Sequence, residues 1–400
     1  MSLLGRREFL IGGAGAAVFG AQAVRAVDED PELHAPSQHA AYEPWRSWRA
    51  TRVPSPVMVV HAAILAANAH DTQPWRFQIA SDRIDVYADE DRNLGAMDPF
   101  RREMHLSLGC ALENAVLIAR SLGYAADLWT CGGLLQEGGV SDEGRHVASI
   151  SLRNKQADAS PLAAAIPYRR TNRSPYQGER AIPIDMLHQL SALSGEEAIR
   201  LMWITDPAAR RDFAAATIAA TETIVADREM IADSDRWFRA TDAEIELHRD
   251  GPTLYCAGLS PLVLLGARLM PVSTQSAHRH WIDQTRDAQL GSCPVIGLIC
   301  VQDLYDRDCA LRAGRLWQRL HLQGTLLGLG MQPLNQLPEC VDRERQLGRP
   351  SIFRQALAAF SGELRQPTFA FRVGWPTRPG AASPRRSLAS VVMPPNRIDS

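Results

Sequence analysis

Residues 66–77 read Ala-Ala-Asn-Ala-His-Asp-Thr-Gln-Pro-Trp-Arg-Phe. Upstream, Val57, Val60, Ile64 and Leu65 recur at a helical spacing that gives one apolar face. Pro74 stops any helix before it. Trp75, Phe77 and Ile79 then alternate as a strand does. A helix therefore ends in a loop dense in amide, hydroxyl, imidazole and carboxylate groups, and a strand leaves at once. Loops fixed at both ends by regular structure are where proteins tend to hold ligands.

Working outward, residues 75–80 and 83–88 predict a hairpin across Ser81-Asp82. Residues 101–123 predict a long helix, with Met104, Leu108, Leu112, Ala115 and Ala119 in period and Gly123 as its stop. Strands are expected at 125–131 and 146–153. Downstream, 161–170 is a short helical pattern broken by Pro167, 183–193 a helix, 200–205 a strand and 208–248 an Ala- and charge-rich helical region. Residues 260–270 form a short apolar helix, and 293–301 is a continuous apolar run typical of a buried strand. A second long helix is expected at 312–330, ending in Leu327-Gly328-Leu329-Gly330, and strands at 368–374 and 388–392.

Between the short helix and Pro175 stand Arg169, Arg170, Thr171, Asn172 and Arg173. Guanidinium forks match phosphate oxygens bidentately, and a hydroxyl adds a donor. This is a candidate anion site, weighed against a solvated basic loop. The chain has a single lysine, Lys155, so a phosphate site built on side-chain cations must be an arginine site.

Composition bounds the rest. Four hundred residues suggest two domains or two halves of one large domain, and 46 % hydrophobic residues suffice for a real core. A net charge of −2 gives no electrostatic case for nucleic acid. Seven cysteines without a C-x-x-C argue against structural zinc or a disulfide framework. His278-Arg279-His280 places two histidines on diverging directions of a helix, so no metal site is read there. Neither G-x-S-x-G nor H-E-x-x-H occurs.

Arg6-Arg7-Glu8-Phe9-Leu10 opens an apolar, Gly- and Ala-rich run ending in small residues at Ala21, Ala23 and Ala26. The order of charge, apolar run and cleavage site resembles a twin-arginine export signal over 1–26, which implies the export machinery as a partner and a periplasmic location, membrane-tethered if uncleaved. Residues 27–56 read as an arm that Trp45 and Trp48 pack down.

Asp71-Thr72-Gln73-Pro74-Trp75 resembles the N-x-Q-P-W segment of nitroreductase-like flavoproteins, with Asp71 where that family has Asn. Arg169 to Arg173 resembles that family's R-R-S-x-R phosphate motif, with Thr171 at the serine position. The resemblance implies FMN, its ring near Asn68, Ala69, Asp71 and Gln73 and near Pro333, Asn335 and Gln336, and its phosphate closed by Arg385 and Arg386. It covers about residues 57–395 and fits best a fused, Acg-type branch. The implied fold is α+β, with two nitroreductase-like halves (57–155 and 156–400) forming an internal pseudo-dimer of mixed sheets and long central helices, and 208–248 as a lid. Such a chain is expected to be a monomer with one complete site. The implied function is an FMN-dependent oxidoreductase passing electrons from NAD(P)H or another donor to a nitroaromatic or quinone-like acceptor. The alternative is an exported protein that holds a covered flavin without turnover. The cofactor carries the chemistry, so no catalytic acid or base is named.

Overall fold

The computed structural model describes residues 39–50, 54–139, 143–195, 198–270, 273–362 and 365–394. The export-signal residues 1–26 lie outside them. The first half begins with helices α1 (Glu43–Ala50) and α2 (Pro56–Ala63), then strands β1 (Trp75–Ile79) and β2 (Arg83–Ala88). Helix α3 (Arg102–Ser121) follows, with β3 (Tyr124–Thr130) and β4 (His146–Asn154). The chain continues through α4 (Pro161–Ala165), α5 (Ile184–Ser191), β5 (Arg200–Ile204), α6 (Pro207–Ala226), α7 (Arg228–Asp235) and α8 (Asp242–His248). It closes through α9 (Pro261–Leu269), α10 (Thr274–Asp283), β6 (Val295–Val301), α11 (Arg307–Leu326), β7 (Gly330–Pro333), α12 (Gln336–Gln346), α13 (Ile352–Ser361), β8 (Gln366–Gly374) and α14 (Leu388–Val391).

Two four-stranded sheets result, ordered β1-β2-β4-β3 and β5-β6-β8-β7. Taken in chain order these are the same arrangement: two strands, a long helix, two strands. The fold is α+β with two halves of like topology. Every pair among these strands is antiparallel. The expected mixed sheets therefore reduce to isolated parallel bridges, Phe77 to Val392 and Thr171 to Met331. Both long helices end alike: a left-handed glycine, Gly123 (φ +89°) or Gly328 (φ +73°), turns the chain into the next strand.

Helices α3 and α11 pack against each other at the centre. A Cβ on Gly314 would stand 2.0 Å from the carbonyl oxygen of Leu106, and one on Gly109 would stand 2.1 Å from that of Leu311. Each helix thus offers the other a glycine, and the backbones close to contact. Every residue from Arg102 to Ala119 is buried, so α3 has no solvent face. Its first turn is capped by Asp98, whose carboxylate accepts from Glu103 N and Met104 N at 3.0 and 2.9 Å.

Several expectations need correction. Helix α11 starts at Arg307 rather than 312, because Asp306 caps it through Cys309 N at 2.7 Å. The region 208–248 is three helices, broken at Asp227, whose carboxylate caps α7. The piece after Arg386 is a short helix, and only Val392 and Met393 run beside β1. From Gly330 the chain forms a strand and then a helix. Trp45 and Trp48 are buried, as the reading of the arm required.

Candidate functional site

The loop at Asn68–Gln73 is held in an unusual shape. His70, Asp71 and Gln73 all have left-handed backbone, with φ of 45°, 50° and 52°. Such conformations cost non-glycine residues about 1 kcal/mol or more each and persist only where neighbours enforce them. The neighbours are visible. Asn68 Oδ1 accepts from Gln73 N at 2.8 Å, and Asn68 Nδ2 donates to Asp71 Oδ1 at 3.2 Å. Ala69 N donates to Ser107 Oγ of α3 at 3.0 Å, and Ala67 N to Gln318 Oε1 of α11 at 3.1 Å. Both central helices therefore anchor the loop.

Against it lies a cleft enclosing about 470 Å³ including its open mouth, lined by Asn68, Asp71, Arg169, Arg170, Thr171, Arg173 and Arg385. Trp45, Pro252, Cys256, Ala381 and Ser383 complete the wall. The sequence-predicted arginines thus converge on the sequence-predicted loop. Arg385 Nη1 donates to Asp71 Oδ1 at 2.5 Å and Nη2 to Ala66 O at 3.0 Å. Arg169 Nη2 reaches Leu65 O at 3.3 Å, and Arg173 Nη1 donates to Cys256 O at 3.2 Å. Arg170 stacks on Trp45, 4.2 Å from the ring centre, with Arg385 4.9 Å from the same ring.

Among the described residues that line the cleft are four guanidinium groups and the carboxylate of Asp71, and burial shapes their electrostatics. Burial first, then Arg385 and Arg170, pushes Arg169 down to about 9. Burial also lowers Arg385, with Asp71 opposing. Asp71 is raised to about 6 by burial, against the pull of Arg385. His321, beside Arg169, is held well below the usual imidazole range by burial and then by that cation. Among the described residues, the Nε atoms of Arg169 and Arg385 and the Oδ2 of Asp71 are buried without hydrogen-bond partners. An anion with several acceptor oxygens is the chemical complement of this donor set.

Other predicted residues serve elsewhere. Gln73 is fully buried and spent: its Nε2 donates to Arg249 O at 2.9 Å and its Oε1 accepts from Arg386 N at 2.8 Å. Arg386 binds Gln73 O and Asp89 behind the loop, so it ties down the C-terminal arm rather than lining the cleft. Asn172 is turned away, bonded to Arg378 O and to the Ser174 hydroxyl. Ala69 contributes only its anchored backbone. Pro333, Asn335 and Gln336 do not line the cleft. Asn335 Nδ2 donates to Glu103 Oε1 at 2.8 Å, and its Oδ1 accepts from Ala370 N, in a separate buried cluster of Arg102, Glu103, Asp98 and Asp342. Sequence reasoning missed Trp45, Pro252, Cys256, Ala381 and Ser383 as wall residues. Only the last two had a signal, lying just before the arginine pair.

The lid expectation also shifts. The long helix α6 packs away from the loop on α12, where the Cys340 thiol meets Ala220 O. The loop is covered by the segment after α8 together with α7, which lies within 208–248. Gly251 N donates to Asp71 O at 3.1 Å, Arg249 O receives Gln73, and Ser234 of α7 meets His70 at 3.1 Å.

No family model matches the chain. A Mycobacterium tuberculosis protein named "Putative NAD(P)H nitroreductase Rv3131" is 26 % identical over 359 residues, spanning 85 % of this chain and 91 % of its own length. A second from the same organism, "Putative NAD(P)H nitroreductase acg", is 26 % identical over 343 residues, spanning 83 % and 93 %. Among solved structures, the FMN-dependent nitroreductase NfnB of Mycobacterium smegmatis, in complex with NADPH, covers 58 % of this chain and 97 % of its own at 16 % identity and a TM-score of 0.37. A nitroreductase with bound FMN from Bacteroides fragilis covers 59 % and 99 % at 10 % identity and a TM-score of 0.33. The similarity to the sequence relatives spans 83–85 % of this chain. Over most of its length the chain is similar in sequence to these nitroreductase-like proteins, the Acg protein among them.

Proposed function

We propose that the cleft holds FMN and that the protein is an FMN-dependent oxidoreductase of the nitroreductase type. The observation that carries this reading is the gathering of cations in the cleft: buried Arg169 and Arg385 and half-buried Arg170 and Arg173 line it beside Asp71, and among the described residues the Nε atoms of Arg169 and Arg385 have no hydrogen-bond partner. A phosphate would satisfy those donors and offset the burial, and then the repulsion from Arg385 and Arg170, that depress Arg169. The residues present fit that group. Thr171 adds a hydroxyl, and Trp45 offers an aromatic wall.

When bound, the flavin would supply hydride and electron transfer between a nicotinamide donor and a nitroaromatic or quinone-like acceptor. The chain's own part is to bind and orient. Arg169 to Arg173 and Arg385 fix the anionic end. The loop at Asn68–Asp71 closes the other side, and the segment at Arg249–Pro252 excludes water above it. Asp71 is already paired with Arg385, so its charge is offset rather than aimed as a bare carboxylate at the ring position.

One observation favours a second reading, a covered flavin held without turnover. The segment at Arg249–Gly251 is hydrogen-bonded directly onto Gln73 and Asp71. An acceptor reaching the ring would have to enter by the open mouth or displace that segment. Export to the periplasm remains part of the proposal on residues 6–26 alone.

The test begins with the purified full chain from a host that loads cofactors. Its visible spectrum is recorded, and the supernatant after denaturation is resolved for FMN, FAD and riboflavin. A yellow protein releasing about one FMN per chain is expected. Anaerobic NADPH should then bleach the flavin, and a nitroaromatic should restore it. Bleaching by dithionite alone would select the store over the reductase. A colourless chain that takes up no added FMN would end both readings.

A further inference from the structure

The first sheet carries a second cluster of chemical groups that the cleft does not use. Cys131 follows β3 and is fixed beside β4 by its N–H to Val147 O at 2.8 Å. Its Sγ lies 3.4 Å from Nδ1 of His146, the first residue of β4. On the other side of the ring, His146 Nε2 is 3.2 Å from Ser149 Oγ and 3.6 Å from Asp85 Oδ1. The Ser149 hydroxyl donates to that same Asp85 oxygen, and Arg83 Nε holds the other at 2.9 Å. Strand pairing sets this up, because Asp85 faces Ser149 and Tyr87 faces His146 across β2 and β4. Tyr87 packs on the imidazole at 5.0 Å between centres.

We propose that Cys131 is a nucleophilic thiol, that His146 is its base, that Asp85 and Ser149 orient that base, and that the thiol exchanges with small aliphatic disulfides. With Nε2 directed at the carboxylate, Nδ1 presents its lone pair to the thiol. Burial raises Cys131 above the ordinary thiol range, with Arg307 pulling the other way, so a base is needed at the moment of attack. In the step, the S–H proton passes to His146 Nδ1 and the Cys131 sulfur bonds to one sulfur of the disulfide R–S–S–R. That S–S bond breaks, and the departing RS⁻ takes the proton from His146. Cys131 ends as a mixed disulfide, one RSH is released, and no further oxidant is required.

Access is consistent with this chemistry. Cys131 is half-buried, Trp129 beside it is 62 % exposed, and a Cβ on Gly132 or Gly133 would meet nothing within 4 Å. Five of the other cysteines are buried. Cys309 shares the half-buried class, but its thiol is pushed up to about 11 by burial and then by Asp306, and it serves as the internal comparison.

The full chain is incubated with oxidised glutathione, and mixed disulfides are mapped by peptide mass spectrometry over time. Glutathione is expected on Cys131 roughly tenfold faster than on Cys309. His146→Gln should slow Cys131 by roughly tenfold or more, with thermal melting unchanged. Asp85→Asn should slow it less. Equal labelling of Cys131 and Cys309, or an unchanged rate in a natively melting His146→Gln protein, would overturn the proposal. Should His146→Gln not fold, the wild-type ratio of Cys131 to Cys309 labelling decides alone.

Discussion

Arg169 is the residue at which binding and stability should separate. It is 3 % exposed, and its pKa is pushed down to about 9 from the ordinary arginine range. At about 1.4 kcal/mol per tenfold, carrying that charge at neutral pH costs the empty protein at most about 5 kcal/mol. The sign is that of a depressed cation: the cost is complete below pH 9 and fades as pH rises through that value, where the folded chain has already released the proton the unfolded chain keeps. Replacing the side chain by Met keeps an unbranched apolar chain of similar reach and removes the charge. The lost contacts are the weak bonds to Leu65 O and His321 Nδ1, at 3.3 and 3.5 Å, worth about 1 kcal/mol together. Flavin-free Arg169→Met should therefore be more stable than the flavin-free parent, by about 1–4 kcal/mol in urea denaturation at pH 7. The same change should weaken FMN retention by roughly 10- to 100-fold, the loss of a charge-assisted hydrogen bond to phosphate. Flavin fluorescence on titration reads the second quantity. A destabilised flavin-free variant with unchanged FMN affinity would refute the reasoning, because Arg169 would then be a structural cation and the cleft no anion site.

Three further outcomes follow from the same structure. Gly314→Ala puts a methyl where the carbonyl of Leu106 already stands, at 2.0 Å, so α3 and α11 must part; a loss of at least about 1–3 kcal/mol is expected in denaturation, together with lower flavin content, since Gln318 and Ser107 anchor the site loop from these helices. For Asp71, raised to about 6, the folded state holds a proton that the unfolded carboxyl has lost, so this group lowers stability as pH rises from about 4 to 6, by at most about 3 kcal/mol; the difference between parent and Asp71→Asn, measured by urea at pH 4.5 and 6.5, should show that slope vanish. Arg102 is fully buried against Asp342 at 2.8 Å, with Asp98 and Glu103 beside it, so Arg102→Leu should cost about 3–5 kcal/mol at pH 7 and less at pH 5, where Asp98, raised to about 6 chiefly by burial, takes up a proton.

Much of the frame can be read from apolar period and stop signals. The hairpin at 75–88, the long helix closed by Gly123 and the buried strand at 295–301 follow from spacing alone. Helix α12 does not, and the reason is physical. Its residues Gln336 to Glu344 are all buried, but they include Glu339, Asp342, Arg343 and Glu344. A pattern that equates burial with apolar side chains cannot find a helix buried through ion pairs. The arginines of the cleft were legible because their chemistry is local: Arg169, Arg170 and Arg173 stand together in sequence. Gln73 and Arg386 looked equally functional, yet long-range bonds consume both, and nothing at either position announces the partner more than 300 residues away. Asn335 was displaced by the same effect, held by Glu103 across the half boundary.

That interleaving makes the two halves one folding unit. The first half contributes the loop at Asn68–Asp71, the second the arginines, and the C-terminal arm returns to lay Arg385 on Asp71 and Met393 on Phe77. Helix α3 has no solvent face from Arg102 to Ala119, and the faces it shows to α11 become solvent-exposed if the second half is removed. A chain cut in the exposed stretch 155–159 tests this. The two pieces, produced together, should co-purify and retain flavin, since the strand pairs of each sheet lie within one piece and the Met393 N–H to Phe77 O bond helps to join the two. Produced alone, the first piece should aggregate or expose apolar surface, because burial worth roughly 25 cal/mol per Å² along α3 is withdrawn. A first piece that is soluble, monomeric and unfolds cooperatively would mean that the halves are independent domains and that the cleft is only a contact between them.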